Sequence, residues 1–498
     1  MIASKKLNGI ENNECLKKLI ASYIKKFNDE DIDILKVPAR INLLGTHIDH
    51  RGGYTNYLTI DKELFCVAGK RNDSKVISYN LESEKYPPRE FDIKNELPAK
   101  KINWIDFIRK IKITPGDWIN YVKAPILYLQ NKFPEIPLKG FNLFYYGEIP
   151  IGAGLSSSSA LVVATMLCAC KINNIDIEKE KLVEMCGEAE WYVGTRGGSG
   201  DHAAMIFGKK GQIVHLRFFP FTSKYLPFPE NYKVICCNSL IEAKKSTDAK
   251  NIFNERIASY EIGFKLIKKN FPELKNKLVH LRDVNPEILK SEENVYKILL
   301  SIPEISKREE ICKLLPEENL GVLFETHIPP EKGYRLRDIL MYGISECERA
   351  RICEYFLKNN EIEKFGKLMF ISHDGDRVVK HLDNNKIEKW DYRVTDKYLL
   401  KLISDLKKGK EEAKIYNQPG GYRCSTPELD FIVDTTKKIN GVKGAKLTGA
   451  GLGGCVLVLV EEKEAEKTLE ILNKKYYHKR NLPESSFICN SSSGAEFI

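Results

Sequence analysis

Apolar and polar residues follow two different periods along the chain. Near the N-terminus, apolar residues such as Leu16 and Leu19 recur at helical spacing, which predicts a leading helix. Residues 35–68 form short apolar runs interrupted by glycines, a pattern typical of strands joined by a turn-rich loop. The aromatic run at 142–149 predicts another strand, and the apolar run at 160–170 predicts a buried helix with serines as its N-caps.

Beyond residue 220 the pattern becomes helical and rich in lysine. Helices are predicted at 248–269, 338–358, 362–373 and 427–439, followed by a strand at 455–460. From this change in character we predict two domains, residues 1–225 and 226–498. The charged stretches at about 81–115 and 378–422 read as elaborations between the core elements.

Composition narrows the class of protein. The chain has 498 residues, of which 43% are apolar and 29% charged, and this fits a folded protein of more than one domain. The net charge of +10 is spread along the chain without a basic arm or stripe. A nucleic-acid partner is therefore not indicated, and a small anionic substrate fits equally well.

The cysteines and the N-terminus predict a cytoplasmic protein. The 13 cysteines form no C-x-x-C pair, which gives no support for a zinc or thiol redox motif and suggests a reducing compartment. Charges interrupt the first residues, so no signal peptide is expected. The longest apolar run, 160–170, is shorter than the ~20 residues of a membrane span. We expect no membrane partner, and the sequence leaves the oligomeric state open.

A loop of small residues precedes the predicted buried helix. It consists of Gly152, Ala153, Gly154, Leu155, Ser156, Ser157 and Ser158. Backbone N–H groups and the positive end of a helix would meet there, which suits a phosphate, and a hydroxyl can ligate Mg²⁺. No lysine follows the glycines, so the loop is not a Walker P-loop. The alternative interpretation is a serine-rich cap.

A second glycine loop lies late in the chain. Residues 449–454 satisfy G-x-G-x-x-G, but a β-rich run follows them instead of a helix. A dinucleotide site is therefore not expected. The loop is either a tight turn or a second backbone wall beside a ligand.

Two further segments place polar residues beside glycines. Residues 40–53 contain Arg40, His47 and Asp49 and are too polar for a core strand. No third metal ligand accompanies this histidine and aspartate, so a polar ligand pocket is the better interpretation. Asp201 follows a glycine-rich stretch, where an aspartate is either catalytic or an ordinary turn or cap residue.

Taken in this order, the segments resemble the GHMP kinase superfamily and, within it, the galactokinase family. Residues 40–53 match its sugar signature, 149–161 its phosphate loop, 200–202 its catalytic aspartate and 447–455 its C-terminal glycine motif. The resemblance implies two α+β lobes with the active site between them. The N-terminal lobe would resemble domain 2 of ribosomal protein S5, and the C-terminal lobe would be ferredoxin-like.

The resemblance also implies an ATP- and Mg²⁺-dependent sugar kinase. Asp201 would accept the proton of the anomeric hydroxyl, while Arg40 would stabilise the alkoxide and the transferring phosphoryl group. Residues 156–158 would bind the ATP phosphates. Mg²⁺ would lie between Ser158 and Glu190.

On the sugar side, some residues match the family and two depart from it. His47, Asp49 and Gly200 would contact the sugar. Thr46 stands where galactokinases have a glutamate that contacts the C6 hydroxyl, and Phe253 stands where they have a tyrosine.

The change at Thr46 leaves two sugars open. A glutamate would repel a C6 carboxylate, whereas threonine is neutral, and Arg51 or Arg196 is expected to pair with such a group. Galacturonokinases are similar to this pattern. The expected substrate is therefore galactose or galacturonate.

Alternative functions also remain at this stage. The chain could be a non-catalytic sugar and ATP sensor of the same fold, or a GHMP kinase for another substrate. Trp104 is the candidate contact for adenine.

Overall fold

The computed structural model describes residues 13–99, 101–194, 197–242, 247–382 and 386–498. The elements of the first half are α1 (Glu14–Phe27), β1 (Ile32–Leu44), β2 (Tyr54–Lys70), β3 (Lys75–Asn80), β4 (Arg89–Asp92), α2 (Ile93–Glu96), α3 (Trp104–Lys110), α4 (Ile119–Lys132), β5 (Phe141–Gly147), α5 (Ser157–Ile172), α6 (Lys179–Glu190), α7 (Gly200–Phe207), β6 (Gln212–Arg217) and β7 (Thr222–Pro227).

The elements of the second half are β8 (Tyr232–Asn238), α8 (Thr247–Asn270), α9 (Pro286–Leu289), α10 (Glu292–Leu300), α11 (Arg308–Leu314), α12 (Gly321–Phe324), α13 (Leu336–Lys358), α14 (Ile362–Asp376), β9 (Val379–His381), β10 (Ile387–Lys389), α15 (Asp396–Lys407), α16 (Pro427–Thr436), β11 (Val442–Leu447), β12 (Cys455–Glu461), α17 (Ala465–Leu472), β13 (Ser486–Cys489) and β14 (Glu496–Phe497).

The first sheet has eight strands, in the order β14-β1-β2-β5-β3-β4, with β6 and β7 joined to the other half of β2. β1 and β2 form a long antiparallel pair whose register shifts between Pro38 and Ala39 and again between Asn42 and Leu44. Such bulges bend a strand and re-aim its side chains, and Arg40 lies between these two shifts. The sheet thereby brings one polar stretch of β1 to the site described below.

The helix α5 packs against this sheet and against α4 and α6. Its apolar residues from Ala160 to Cys170 are almost all buried, which confirms the buried helix predicted from the sequence. Burial on all sides explains why its sequence is apolar without a helical stripe. The first turn of α5 therefore has a firmly held position at the end of the loop 152–156.

The second sheet has four antiparallel strands in the order β11-β12-β8-β13. Helices connect β8 to β11 and β12 to β13, and this β-α-β-β-α-β arrangement is the ferredoxin-like pattern. After β13 the chain returns to the first sheet, where β14 pairs with β1. The last residues of the chain therefore belong to the N-terminal sheet.

The structure also locates the predicted boundary and elaborations. Apart from β14, the strands of the first sheet end with β7 at Pro227, and the second sheet begins with β8 at Tyr232, so residue 225 lies close to the change of sheet. Residues 81–115 contain β4, α2 and α3, and residues 378–422 contain β9, β10 and α15. Within the described ranges, no helix is both long and apolar enough to cross a membrane.

Candidate active site

Arg40 and Asp201 form the centre of the site. The guanidinium of Arg40 donates from Nε to Asp201 Oδ1 at 2.8 Å and from Nη2 to Asp201 Oδ2 at 2.6 Å. Arg40 is buried, and β1 holds it beneath the first turn of α7. Burial lowers the pKa of Arg40, but the charge and hydrogen bonds of Asp201 raise it above its ordinary value. A permanent positive charge therefore lies beside this carboxylate.

The predicted phosphate loop joins this pair. Arg40 Nη1 donates to the backbone oxygen of Gly154 at 2.7 Å, and Nη2 donates to Ser156 Oγ. Ser156 Oγ in turn donates to Asp201 Oδ2. The loop and the aspartate thus share one cation. Ser156 is the N-cap residue of α5, as the sequence predicts, but its side chain makes no cap hydrogen bond and donates to Asp201 instead.

The backbone of the loop takes a conformation that favours glycine. Gly152, Gly154 and Ser156 have φ values of 70°, 76° and 61°, in the left-handed region. A Cβ on Gly154 would lie 2.7 Å from the backbone oxygen of Thr448. This tight turn delivers the backbone to the N-terminus of α5, where N–H groups and the helix dipole favour an anion.

The two glycine loops are in contact. A Cβ on Gly449 would lie 2.8 Å from Gly154 Cα, and a Cβ on Gly454 would lie 2.9 Å from the backbone oxygen of Ala153. Only glycine backbone allows the C-terminal loop to approach so closely. The loop at 449–454 is the tight turn between the antiparallel strands β11 and β12, which was one of the two interpretations of its sequence, and it lies against the phosphate loop.

Glu190 lies at the end of α6, beside the serines of α5. Ser159 Oγ donates to Glu190 Oε2 at 2.8 Å, and His202 Nε2 lies 2.8 Å from the same oxygen. Burial would raise the pKa of Glu190, but hydrogen bonds from His202, Ser159 and Ser158 lower it below its ordinary value. An ionised carboxylate therefore lies among hydroxyl groups next to the phosphate loop. Ser158 is next to Glu190, as predicted, while Ser159 and His202 were not anticipated.

Asp49 lies against the glycines before Asp201. A Cβ on Gly198 would lie 2.1 Å from Asp49 Oδ2, and a Cβ on Gly200 would lie 2.4 Å from Tyr57 Oη. Burial raises the pKa of Asp49, but the hydrogen bond and charge of His50 hold it below its ordinary value. Asp49 of the sugar signature therefore lies against the glycines that precede Asp201 on α7.

His47 faces the C-terminal half of the chain. Its φ of 65° is left-handed, and its ring stacks on Tyr422 with a centroid distance of 4.3 Å. Its Nε2 lies 3.5 Å from Asp376 Oδ1. The ring is buried, so it joins the signature loop to the second lobe.

Two buried charged residues that sequence reasoning missed hold the same loop. Glu346 on α13 accepts hydrogen bonds from the backbone N–H groups of Gly45 at 2.8 Å and Thr46 at 3.2 Å. Lys446 on β11 donates to the Thr46 hydroxyl. No local motif marks Glu346, but Lys446 had a signal, because it lies between the apolar residues Ala445 and Leu447 just before the glycine motif.

Three predicted residues lie elsewhere or outside the described part of the chain. Arg51 pairs with Glu261 at 2.5 Å, so a ligand carboxylate would compete with Glu261 for this guanidinium. Arg196 lies outside the described residues. Phe253 is on α8, but the contacts of α8 with the signature loop come two turns later, from Glu261 to Arg51 and from Tyr260 to His50.

Trp104 lines a cavity of about 390 Å³ on the first lobe. Its indole Nε1 donates to the backbone oxygen of Glu188 at 3.0 Å, and its ring packs on Tyr128 and Tyr192. The cavity is also lined by Ile102, Asn131, Lys132 and Trp191. Glu188 is two residues before Glu190, so this aromatic cavity lies along the same helix as the candidate metal ligand.

Three family models match the chain. The GHMP kinases N terminal domain matches residues 120–209, the GHMP kinases C terminal model matches 397–478, and the galactokinase galactose-binding signature matches 21–70. The C-terminal match begins with α15, inside the stretch 378–422.

Full-length relatives agree with these models. A galactokinase of Fusobacterium nucleatum is 28% identical over 96% of this chain and 99% of its own length. A galactokinase of Dictyostelium discoideum is 25% identical over 95% of this chain and 90% of its own length. The crystal structure of Lactococcus lactis galactokinase complexed with galactose covers 97% of this chain and all of its own, with a TM-score of 0.69 at 22% identity.

Proposed function

Because the chain belongs to the galactokinase family of the GHMP kinases, we propose that it transfers the γ-phosphoryl group of ATP to the anomeric hydroxyl of a galactose-type sugar. The observation that carries this proposal is the single cluster formed by Arg40, Asp201 and Ser156. It joins the end of the phosphate loop to the glycine-lined cleft of Asp49. A phosphate donor and a hydroxyl acceptor bound on its two sides would meet at Asp201.

Each member of the cluster has a chemical role in this reaction. Asp201 accepts the proton of the attacking hydroxyl, since a carboxylate retains lone pairs beyond those used by Arg40 and Ser156. Arg40 stabilises the negative charge on the attacking oxygen and on the transferring phosphoryl group. Phosphoryl transfer of this kind depends mainly on positioning and charge stabilisation, which a buried guanidinium and a helix N-terminus supply.

The donor side fits a magnesium nucleotide. Within the described ranges, no three His, Cys, Asp or Glu side chains cluster as a complete metal site. One buried ionised carboxylate beside hydroxyls is nevertheless the donor set that Mg²⁺ uses when substrate phosphates and water complete its shell. Glu190 and Ser158 would hold this ion, which neutralises phosphate charge when bound. The cavity at Trp104 is proposed to take the adenine.

We place this activity in the cytoplasm as part of the proposal. All 13 cysteines are free, and Cys66 and Cys168 remain thiols although their sulfur atoms lie 3.9 Å apart. Free thiols at this spacing fit a reducing compartment.

The test is a measurement of ADP formation with ATP, Mg²⁺ and each of galactose, galacturonate, glucose and mevalonate. The expected result is turnover with a galactose-type sugar and a product that NMR identifies as the sugar 1-phosphate. Omission of Mg²⁺ should abolish turnover. Turnover with mevalonate alone, phosphate on another hydroxyl, or no turnover with any sugar would contradict the proposal.

A further inference from the structure

Lys446 is a buried cation beside the signature loop. Its side chain is fully buried, and its Nζ donates to Thr46 Oγ1 and lies 3.5 Å from the backbone oxygen of Asn42. Among the described residues, it forms no ion pair within 4.0 Å with any carboxylate. A buried ammonium whose nearest partner is a neutral hydroxyl is costly, because burial of a charge is offset only by a close counter-charge.

The nearby carboxylates are occupied by other partners. Glu346 accepts hydrogen bonds from two backbone N–H groups, from Ser372 Oγ at 3.0 Å and from Arg349 Nε at 2.7 Å. Asp376 accepts from Tyr342 Oη at 3.2 Å and lies 3.5 Å from His47 Nε2. The two carboxylates still act on Lys446 electrostatically. Burial lowers the pKa of Lys446 to about 8, and the negative charges of Glu346 and Asp376 oppose that decrease.

The Lys446 ammonium also determines whether the Thr46 hydroxyl acts as a hydrogen-bond donor or acceptor. A lysine ammonium has three donors and no acceptor, so the Thr46 oxygen must accept from Lys446. The hydroxyl proton of Thr46 then points to another atom, and no described residue accepts it. Position 46 therefore presents a donor toward its surroundings, whereas a glutamate there would present only acceptors.

The position of Thr46 connects it to the sugar side of the cleft. It is three residues before Asp49, on the loop whose backbone Glu346 holds. Arg40 is among the charges that act on Lys446, which places the lysine near the reaction centre as well. An acceptor group of the bound sugar that meets Thr46 would thus have a hydroxyl donor with an ammonium directly behind it.

We propose that Thr46 and Lys446 form a donor-only subsite for the C6 group of the sugar, and that this subsite selects a hexuronate, whose C6 is a carboxylate. The proposal rests on the sugar kinase function proposed above. A carboxylate would accept from the Thr46 hydroxyl, and its negative charge would be the counter-charge for the Lys446 ammonium behind that hydroxyl. A C6 hydroxyl of galactose would supply no charge.

The test compares kcat/KM for galacturonate and galactose in the wild-type protein and in three variants. Lys446→Met removes the charge at similar length, and Thr46→Val removes the hydroxyl at similar shape. Lys443→Met is the matched control, because Lys443 is on the same strand but pairs with Glu363 and Glu461. The wild type should prefer galacturonate by about tenfold or more, as expected for a hydrogen bond to a charged group.

The variants distinguish this selection from a loss of folding. Lys446→Met and Thr46→Val should each lower the galacturonate-to-galactose ratio by about tenfold, with an unchanged KM for ATP, and Lys443→Met should keep the wild-type ratio. A wild type that prefers galactose, or a ratio that Lys446→Met and Thr46→Val leave unchanged, would overturn the subsite while the sugar kinase function stands. Turnover of neither sugar would overturn both.

Discussion

Arg40 and Asp201 form a bidentate ion pair although 161 positions separate them in the sequence. β1 supplies the guanidinium and the first turn of α7 supplies the carboxylate. Bidentate pairs of this kind fix the direction of the carboxylate as well as its distance. The pair therefore holds the proposed base in one orientation between the phosphate loop and the cleft at Asp49.

Replacing Asp201 with asparagine should remove catalysis while substrates still bind. The amide keeps the shape of the side chain but cannot accept the hydroxyl proton as a base. We expect kcat to fall by about 10²- to 10⁴-fold, with smaller changes in either KM. Steady-state kinetics measure this, with Asp106→Asn on the exposed face of α3 as the control. Full activity in Asp201→Asn would show that another group accepts the proton.

Gly198→Ala should impair the sugar side selectively. Its Cβ would lie 2.1 Å from Asp49 Oδ2, so either the carboxylate or the loop before α7 must move. We expect the KM for the sugar to rise by about tenfold while the KM for ATP changes little. Gly197→Ala is the matched control, since a Cβ there meets no described atom within 4 Å. Equal effects of the two substitutions would contradict this placement of Asp49.

Trp104→Phe should weaken nucleotide binding. The substitution removes part of the cavity wall and the hydrogen bond to the backbone of Glu188. The KM for ATP should rise several-fold, because base stacking contributes about 1–3 kcal/mol, while the KM for the sugar stays constant. Trp118→Phe is the control, because Trp118 is similarly buried, donates to the backbone oxygen of Pro87 and is not among the residues that line this cavity. A rise in the ATP KM with Trp118→Phe alone would exclude the cavity as the adenine site.

Lys446 should make the stability of the wild-type protein rise with pH. Burial lowers its pKa in the folded state from 10.5 to about 8, against the opposing charges of Glu346 and Asp376, while Arg349 and Arg40 act in the same direction as burial. Between these two pH values the unfolded chain binds more protons than the folded chain, so the free energy of unfolding increases with pH.

The measurement is the free energy of unfolding of the wild type minus that of Lys446→Met, at several values between pH 7.5 and 10. This difference should increase by on the order of 3 kcal/mol across the full window, and it should be flat below pH 7.5, where Lys446 is charged in both states. A constant difference from pH 7.5 to 10 would show that Lys446 is not a buried cation. Both proteins are measured in the same low-salt buffer, so that all other contributions to the free energy of unfolding are equal.

Local sequence signals were sufficient for most elements and for the residues that act through the backbone. Helical spacing predicted α13 and α14, and the apolar run at 160–170 predicted α5, because burial of one face or of a whole helix is encoded in neighbouring residues. Glycines at 152 and 154 mark a turn that other residues avoid. Ser156 is the N-cap residue, but the partner of its hydroxyl could not be predicted, because Asp201 lies on another helix.

Sequence alone indicated the family, the two glycine loops, and Arg40 and Asp201 as candidate catalytic residues, since these features lie in short contiguous segments whose chemistry is local. Tertiary structure alone decided that Arg51 pairs with Glu261 and that Lys446 and Glu346 contact the loop of Thr46. These contacts join residues hundreds of positions apart, and a lysine or a glutamate carries no local sign of its partner. Which charge lies behind the Thr46 hydroxyl is therefore a consequence of how the two lobes pack.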